Sequence, residues 1–180
     1  MKNFWFLSFS LFLLSIFLIS CQQQNMTEDN SARNKAALMK IYEALETGNT
    51  DSLDNYIAED AMDHALDTMI TKKQGLAGIK DFFRANITSF PDTKITVNAV
   101  GTSGDTLLAY YTFTGTNSGP MMGMPATNKF VEVNGVDIVV FKDGKAVEHW
   151  EVSDQLGMMK QLGMMPENEM GMESDKMKKK

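Results

Sequence analysis

From Ser31 to Glu46 the apolar positions recur at helical spacing. Ala37, Leu38, Ile41, Tyr42 and Leu45 fall on one stripe, and Gly48 stands where such a helix would end. Asp51 to Ile57 repeats the pattern on a shorter scale, with Leu53, Tyr56 and Ile57 inward, and predicts a second short helix. A loop carrying Asp60, Asp63 and His64 is expected to follow. Gly75 to Phe90 reads as a third helix with Ile79, Phe82, Phe83 and Ile87 on its apolar face, stopped by Pro91. Beyond Pro91 the period becomes two. Lys94–Val100, Thr106–Thr116, Lys129–Phe141 and Ala146–Ser153 read as strands, and Gln155–Leu162 as a short terminal helix capped by Asp154. Helices first and consecutive strands afterwards predict an α+β domain with helices packed on an antiparallel sheet.

The last two strands flank Asp143-Gly144 and predict a hairpin. A three-residue loop, with Gly144 in the left-handed region as a bulge, pairs Phe141 with Lys145, Val139 with Val147 and Asp137 with His149. In that register Asp137, Val139, Val147, His149 and Glu151 share one face, and Ile138, Val140, Ala146, Glu148, Trp150 and Val152 the other. A two-residue loop is expected to separate Asp137 from Glu151. If the ionisable face is enclosed, repulsion and desolvation should raise a carboxyl pKa on it, and a protonated His149 would offset the rise. Such a carboxylate serves as a general base near neutral pH. Glu151 is the favoured candidate, against a passive role in the pocket or on the surface. His149 is either its partner or a structural histidine bonded to Asp137. His64 and Asp63 fit a polar rim as well as a substrate contact.

The chain ends differ from this domain. Phe4 to Ile19 is apolar apart from three serines, follows Lys2, and ends in Leu18-Ile19-Ser20-Cys21. The run is short for a spanning helix and fits an export signal. Its last four residues resemble a bacterial lipobox, which implies cleavage before Cys21, lipidation of that cysteine, and attachment to the membrane of the cell envelope. An uncleaved anchor, or an ordinary signal peptide cut nearby, is the alternative. The expected organisation is therefore a signal over residues 1–20, a polar tether over 21–30, the folded domain over 31–165 and a Met, Glu and Lys tail over 166–180.

Composition narrows the function classes. The chain carries a net charge of -6 and one cysteine. An acidic chain without a basic patch argues against nucleic acid. A lone cysteine that is lipidated leaves no thiol for catalysis, metal binding or an internal disulfide. His64 and His149 lack zinc-ligand spacing, so no metal site is expected. Ten of the 15 methionines lie from Met121 onward. Met121, Met122 and Met124 suit an adaptable apolar loop, and the thioethers of the tail leave Cu(I) capture as an alternative function.

Four strings carry a family resemblance: EALETGNTDSLDNYIAEDAMDH over 43–64, GLAGIKDFF over 75–83 with FPD over 90–92, GTNSGPMMGMPATNK over 115–129 and DGKAVEHWEVSDQLGMMKQLG over 143–163. In order and spacing they resemble the SnoaL-like polyketide cyclases, also called ester cyclases, across the whole domain. The resemblance implies the cone-shaped fold of the nuclear transport factor 2-like superfamily, with a pocket between the concave sheet and the helices. It implies a cofactor-free intramolecular aldol ring closure in which an acid/base carboxylate falls on Glu151. Asp137 stands where the family has a pocket histidine, His149 matches a family histidine, and Asn117 stands at the histidine of a GTHxG string. His64, Asn117, Met122, Met124 and Val139 are then the expected substrate contacts. The ligand is a small organic molecule, bound either for turnover or in a noncatalytic module. By analogy a homodimer forms through the outer face of the sheet.

Overall fold

The computed structural model describes residues 30–165. The expected signal segment, Cys21 with its expected tether, and the Met-rich tail all lie outside the described residues apart from Asn30. Helix α1, over residues 30–47, buries Ala37, Leu38, Ile41, Tyr42 and Ala44 along one stripe. Gly48, at φ 77°, breaks it off in the left-handed region. The expected second helix is a tighter 3-10 turn, Thr50–Asn55, which buries Leu53. The expected loop is a strand, β1 (Ile57–Asp63). Strand β1 buries Ile57 and Ala61 and turns Glu59 and Asp60 outward.

Helix α2 (Gly75–Ser89) begins where the chain comes back against β1. A side chain at Gly75 would put its Cβ 2.4 Å from the Glu59 carbonyl oxygen, at a φ of 66°. Only glycine satisfies both conditions. Strands β2 (Lys94–Ser103), β3 (Thr106–Thr116), β4 (Phe130–Lys142) and β5 (Lys145–Ser153) follow, and α3 (Gln155–Leu162) closes the chain. The sheet order is β1-β5-β4-β3-β2. The last four strands pair antiparallel, and β1 adds to β5 in parallel. The domain is α+β, with helices packed on a curved antiparallel sheet.

The core lies between α1, α2 and the inner face of the sheet. Leu38 and Ile41 meet Leu53, Ile79, Leu107, Ala109, Val139 and Phe141 there. A second cluster joins Phe90, Val131 and Val133 to Leu162 and Met158 of α3. Asp154 caps α3 by accepting the Gly157 N–H at 2.8 Å, as expected. Among the described residues no helix is long and apolar enough to cross a membrane.

The hairpin register differs from the expected one. Asp143 and Gly144 both take positive φ, 52° and 83°, and form a two-residue turn with Lys142 opposite Lys145. A bulge then leaves Val147 without a partner, between the pairs Phe141 with Ala146 and Val140 with Glu148. Asp137 therefore lies opposite Glu151, and Val139 opposite His149. A short turn alone would have moved the ionisable residues apart, and the bulge restores them. The short turn itself sets Ala146, not Val147, opposite Phe141 in the core. The outer face carries two adjacent cross-strand rows, Leu108–Ile138–Trp150 and Tyr110–Val136–Val152, of which Leu108, Tyr110 and Val152 are exposed and the others half-buried.

Candidate active site

A cavity of about 960 Å³ opens between the inner face of the sheet and the helices. Isoleucine, leucine and phenylalanine side chains of α1 and α2 form one wall. The β4–β5 hairpin forms the opposite wall with Asp137, Val139, His149 and Glu151. Three of these are ionisable, which is unusual for the inner face of a sheet. Each is matched by a specific partner.

His149 sits between two carboxylates. Its Nδ1 lies 3.0 Å from Asp63 Oδ1, and its Nε2 lies 3.2 Å from Asp137 Oδ1. The parallel pairing of Asp63 with His149 brings β1 into the site. Burial alone would push the imidazole pKa down. The hydrogen bonds with Asp137 and Asp63, and then their charges, override it and push His149 up to about 10. At neutral pH both ring N–H groups are thus donated to fixed acceptors. The ring is a cationic clamp between β1 and β4 and has no lone pair for a substrate.

Asp137 is buried, and both its oxygens are occupied. Oδ1 faces His149, and Oδ2 accepts the Tyr42 hydroxyl at 2.6 Å. Glu151 accepts the Tyr111 hydroxyl on Oε1 at 2.7 Å. No other hydrogen bond to the Glu151 side chain occurs among the described residues, so Oε2 remains for a substrate. Tyr42 and Tyr111 lie 6.1 Å apart between ring centroids. Burial raises both phenols far above their ordinary range, and the charges of Asp137 beside Tyr42 and Glu151 beside Tyr111 add to it. Both stay neutral donors across any physiological pH.

The rim holds His64, whose Nε2 lies 3.0 Å from Glu148 Oε1 and whose ring stacks on Trp150 at 4.6 Å and 6°. Met62, Met121, Met122, Met158 and Met159 also line the opening. Two of the expected contacts are elsewhere. Asn117 is fully buried and does not face the cavity. Its Oδ1 accepts from the Thr127 N–H and hydroxyl at 2.9 and 3.1 Å, and its Nδ2 donates to the Ser89 and Gly119 carbonyls at 3.3 and 2.9 Å. With four bonds its amide is saturated, and it ties the 117–128 loop to the end of α2. Met124 is not on the cavity wall either. Its backbone pairs with Met121 around the Met122-Gly123 turn, which leaves Met122 as the residue of the turn that lines the cavity. Tyr42 and Tyr111 were not among the expected site residues, and Asp63, expected as rim or substrate contact, is instead a partner of His149. A tyrosine on an otherwise aliphatic helical stripe is the one signal that pointed toward Tyr42.

The SnoaL-like polyketide cyclase profile matches residues 36–162, from the second turn of α1 through α3. The chain belongs to that family. Among its relatives is the nogalonic acid methyl ester cyclase of Streptomyces nogalater, 29% identical over 122 residues that cover 67% of this chain and 90% of that one. TsrD of Streptomyces laurentii superposes with a TM-score of 0.67 at 26% identity, over 74% of this chain and 97% of that chain. IdmH of Streptomyces antibioticus superposes with a TM-score of 0.63 at 29% identity, over 72% and 98%. These SnoaL-like neighbours share the nuclear transport factor 2-like fold, and the four strings that suggested the family fall inside the matched region apart from Gly163 at the end of the last.

Among the described residues no group of three or more His, Cys, Asp or Glu side chains is arranged to hold a metal ion. The chemistry open to the observed groups is proton transfer in a mostly apolar cavity.

Proposed function

We propose that this protein is a cofactor-free ester cyclase or isomerase of the cell envelope, with Glu151 as its proton shuttle. The observation that carries this reading is the unequal engagement of the inner carboxylates. Asp137 uses both oxygens, Asp63 is paired with His149, and Glu151 keeps Oε2 available on the cavity wall. Oε2 removes a proton from a carbon activated by neighbouring carbonyls. The resulting carbanion attacks a second carbonyl carbon of the same molecule, a C–C bond forms, and the new alkoxide takes the proton back from Oε2. Atoms and charge balance, and Glu151 returns to its starting state. The substrate class is a neutral, mainly apolar ester with an activated methylene. A volume of about 960 Å³ lies in the range used for such molecules.

The test is conversion of nogalonic acid methyl ester, named for the Streptomyces nogalater relative, or of a smaller methyl ester that carries a 1,3-dicarbonyl unit. Product has the mass of the substrate and a changed retention time. Conversion at the uncatalysed rate for every such ester would rule the reading out.

The lipobox-like string supports anchoring through Cys21. Cells given labelled palmitate should label the chain, and Cys21→Ser should abolish the label. A label that persists in the variant would exclude Cys21 as the anchor. The two partly exposed rows on the outer face support a homodimer. Val152, 71% exposed, sits at the end of one row. Val152→Glu should move the sedimentation mass from two chains toward one, and an unchanged mass would place the interface elsewhere.

A further inference from the structure

Tyr111 and Gly135 are directly opposite each other on β3 and β4, and Gly135 is in turn opposite Ser153 on β5. Tyr111 projects from the inner face of β3, and its hydroxyl nevertheless reaches Glu151 two strands away on β5, at 2.7 Å. It does so by lying flat across β4 at the place where β4 has no side chain. A Cβ at position 135 would stand 2.5 Å from both the Cζ and the hydroxyl oxygen of Tyr111. Backbone conformation does not explain this glycine, because its φ is not positive. The space taken by the phenol does.

We propose that Tyr111 is the positioning residue of Glu151, and that Gly135 is the notch in β4 that lets it act. The proposal rests on the reading of Glu151 as the shuttle. A glutamate with three rotatable bonds on a cavity wall would sample several orientations, and a single donor on Oε1 selects one of them. That donor serves both halves of the proton cycle. With the carboxylate ionised, Oε1 accepts the phenol hydrogen and Oε2 faces the substrate. With the proton on Oε2, Oε1 is the carbonyl oxygen and still accepts the same hydrogen. The carboxyl group therefore has no need to rotate between accepting and returning the proton, which is preorganisation in the sense that lowers barriers. Burial and the negative charge of Glu151 both hold the proton on Tyr111, so the donor persists through the cycle.

The titratable groups around Glu151 are Asp137 opposite on β4, His149 along β5, Tyr111 on β3 and Tyr42 from α1. Replacing Tyr111 with phenylalanine leaves the other three in place and removes one donor. Replacing Gly135 with alanine collides with the far end of a side chain and not with backbone, so the sheet survives and the phenol is displaced.

The test is the carboxyl titration of Glu151 by NMR, in full-length protein labelled with 13C glutamate, with the resonance assigned by its loss in Glu151→Gln. Tyr111→Phe should raise the midpoint by about one pH unit, since a carboxylate that loses a donor becomes more basic. Gly135→Ala should raise it by at least about half a unit. The double variant should titrate with Tyr111→Phe, because both substitutions break one bond. An unmoved midpoint in Gly135→Ala, or shifts that add in the double variant, would overturn the proposal. The titration needs no turnover, so it stands apart from the catalytic assay. Midpoints that move as stated support the positioning pair even if Glu151→Gln retains activity, an outcome that would remove only the shuttle.

Discussion

Glu151→Gln should lower turnover in the ester cyclisation assay by about a thousandfold while leaving ligand affinity within a factor of about three. The amide keeps the length and shape of the side chain, and its carbonyl oxygen still accepts the Tyr111 hydroxyl. What disappears is the basic oxygen facing the cavity. No neighbour can replace it. Asp137 has both oxygens engaged, and His149 is held protonated with both N–H groups donated. The loss should therefore approach the full contribution of a positioned general base. Steady-state kcat and KM for the purified protein decide the matter. A fall in kcat with KM nearly constant supports the shuttle. Equal turnover in wild type and variant would exclude it. A wild type that binds the ester with unchanged affinity and never converts it would make the cavity a binding site only.

Much of the fold was legible along the chain because burial imposes a period. The α1 stripe from Ala37 to Leu45, the stop at Pro91 and the alternation through β2 to β5 each reflect one face packed and one exposed. Strand β1 was not legible. Its sequence IAEDAMD places two carboxylates between two short apolar positions, and its partner β5 lies more than eighty residues downstream in parallel. No local pattern announces such a pairing, and with it went the role of Asp63. The hairpin register failed for a different reason. Two devices with opposite effects, a short turn and a bulge, cancel in which face the ionisable residues share and leave their trace in the cross-strand pairs and at Ala146 and Val147. The set Asp137, His149 and Glu151 was therefore readable while their pairing was not. Asn117 shows the limit of transferring a position from a family string. The site accepts an amide because three of its four hydrogen bonds lie within the loop and the fourth reaches Ser89 at the end of α2, and neither its neighbours nor its spacing betrays that it points there.

Folding stability should fall as pH rises from about 6 to 9.5, by about 2–4 kcal/mol, through His149 alone. The imidazole pKa is about 10 in the folded chain against 6.5 for an ordinary histidine. A pKa raised by folding means that the native state holds a proton which the unfolded chain releases in that window. The contribution is complete below pH 6.5 and is lost as pH climbs toward 10. Its cause is the bracket of Asp63 and Asp137, with Tyr42 donating to Asp137 from behind and Glu151 opposite Asp137. Asp63→Asn removes one side of the bracket and should reduce the pH-dependent loss by roughly half. Urea unfolding of both proteins at pH 6 and 9.5 measures the difference. Stability that is flat or rises with pH in the wild type would mean that His149 is not the protonated clamp described. The clamp also ties β1 to β4 across β5, so its loss in alkali should be felt first at the β1 edge. Amide exchange in Ile57–Asp63 should speed up at pH 9.5 beyond the ordinary effect of base, before the β3–β4 pair opens.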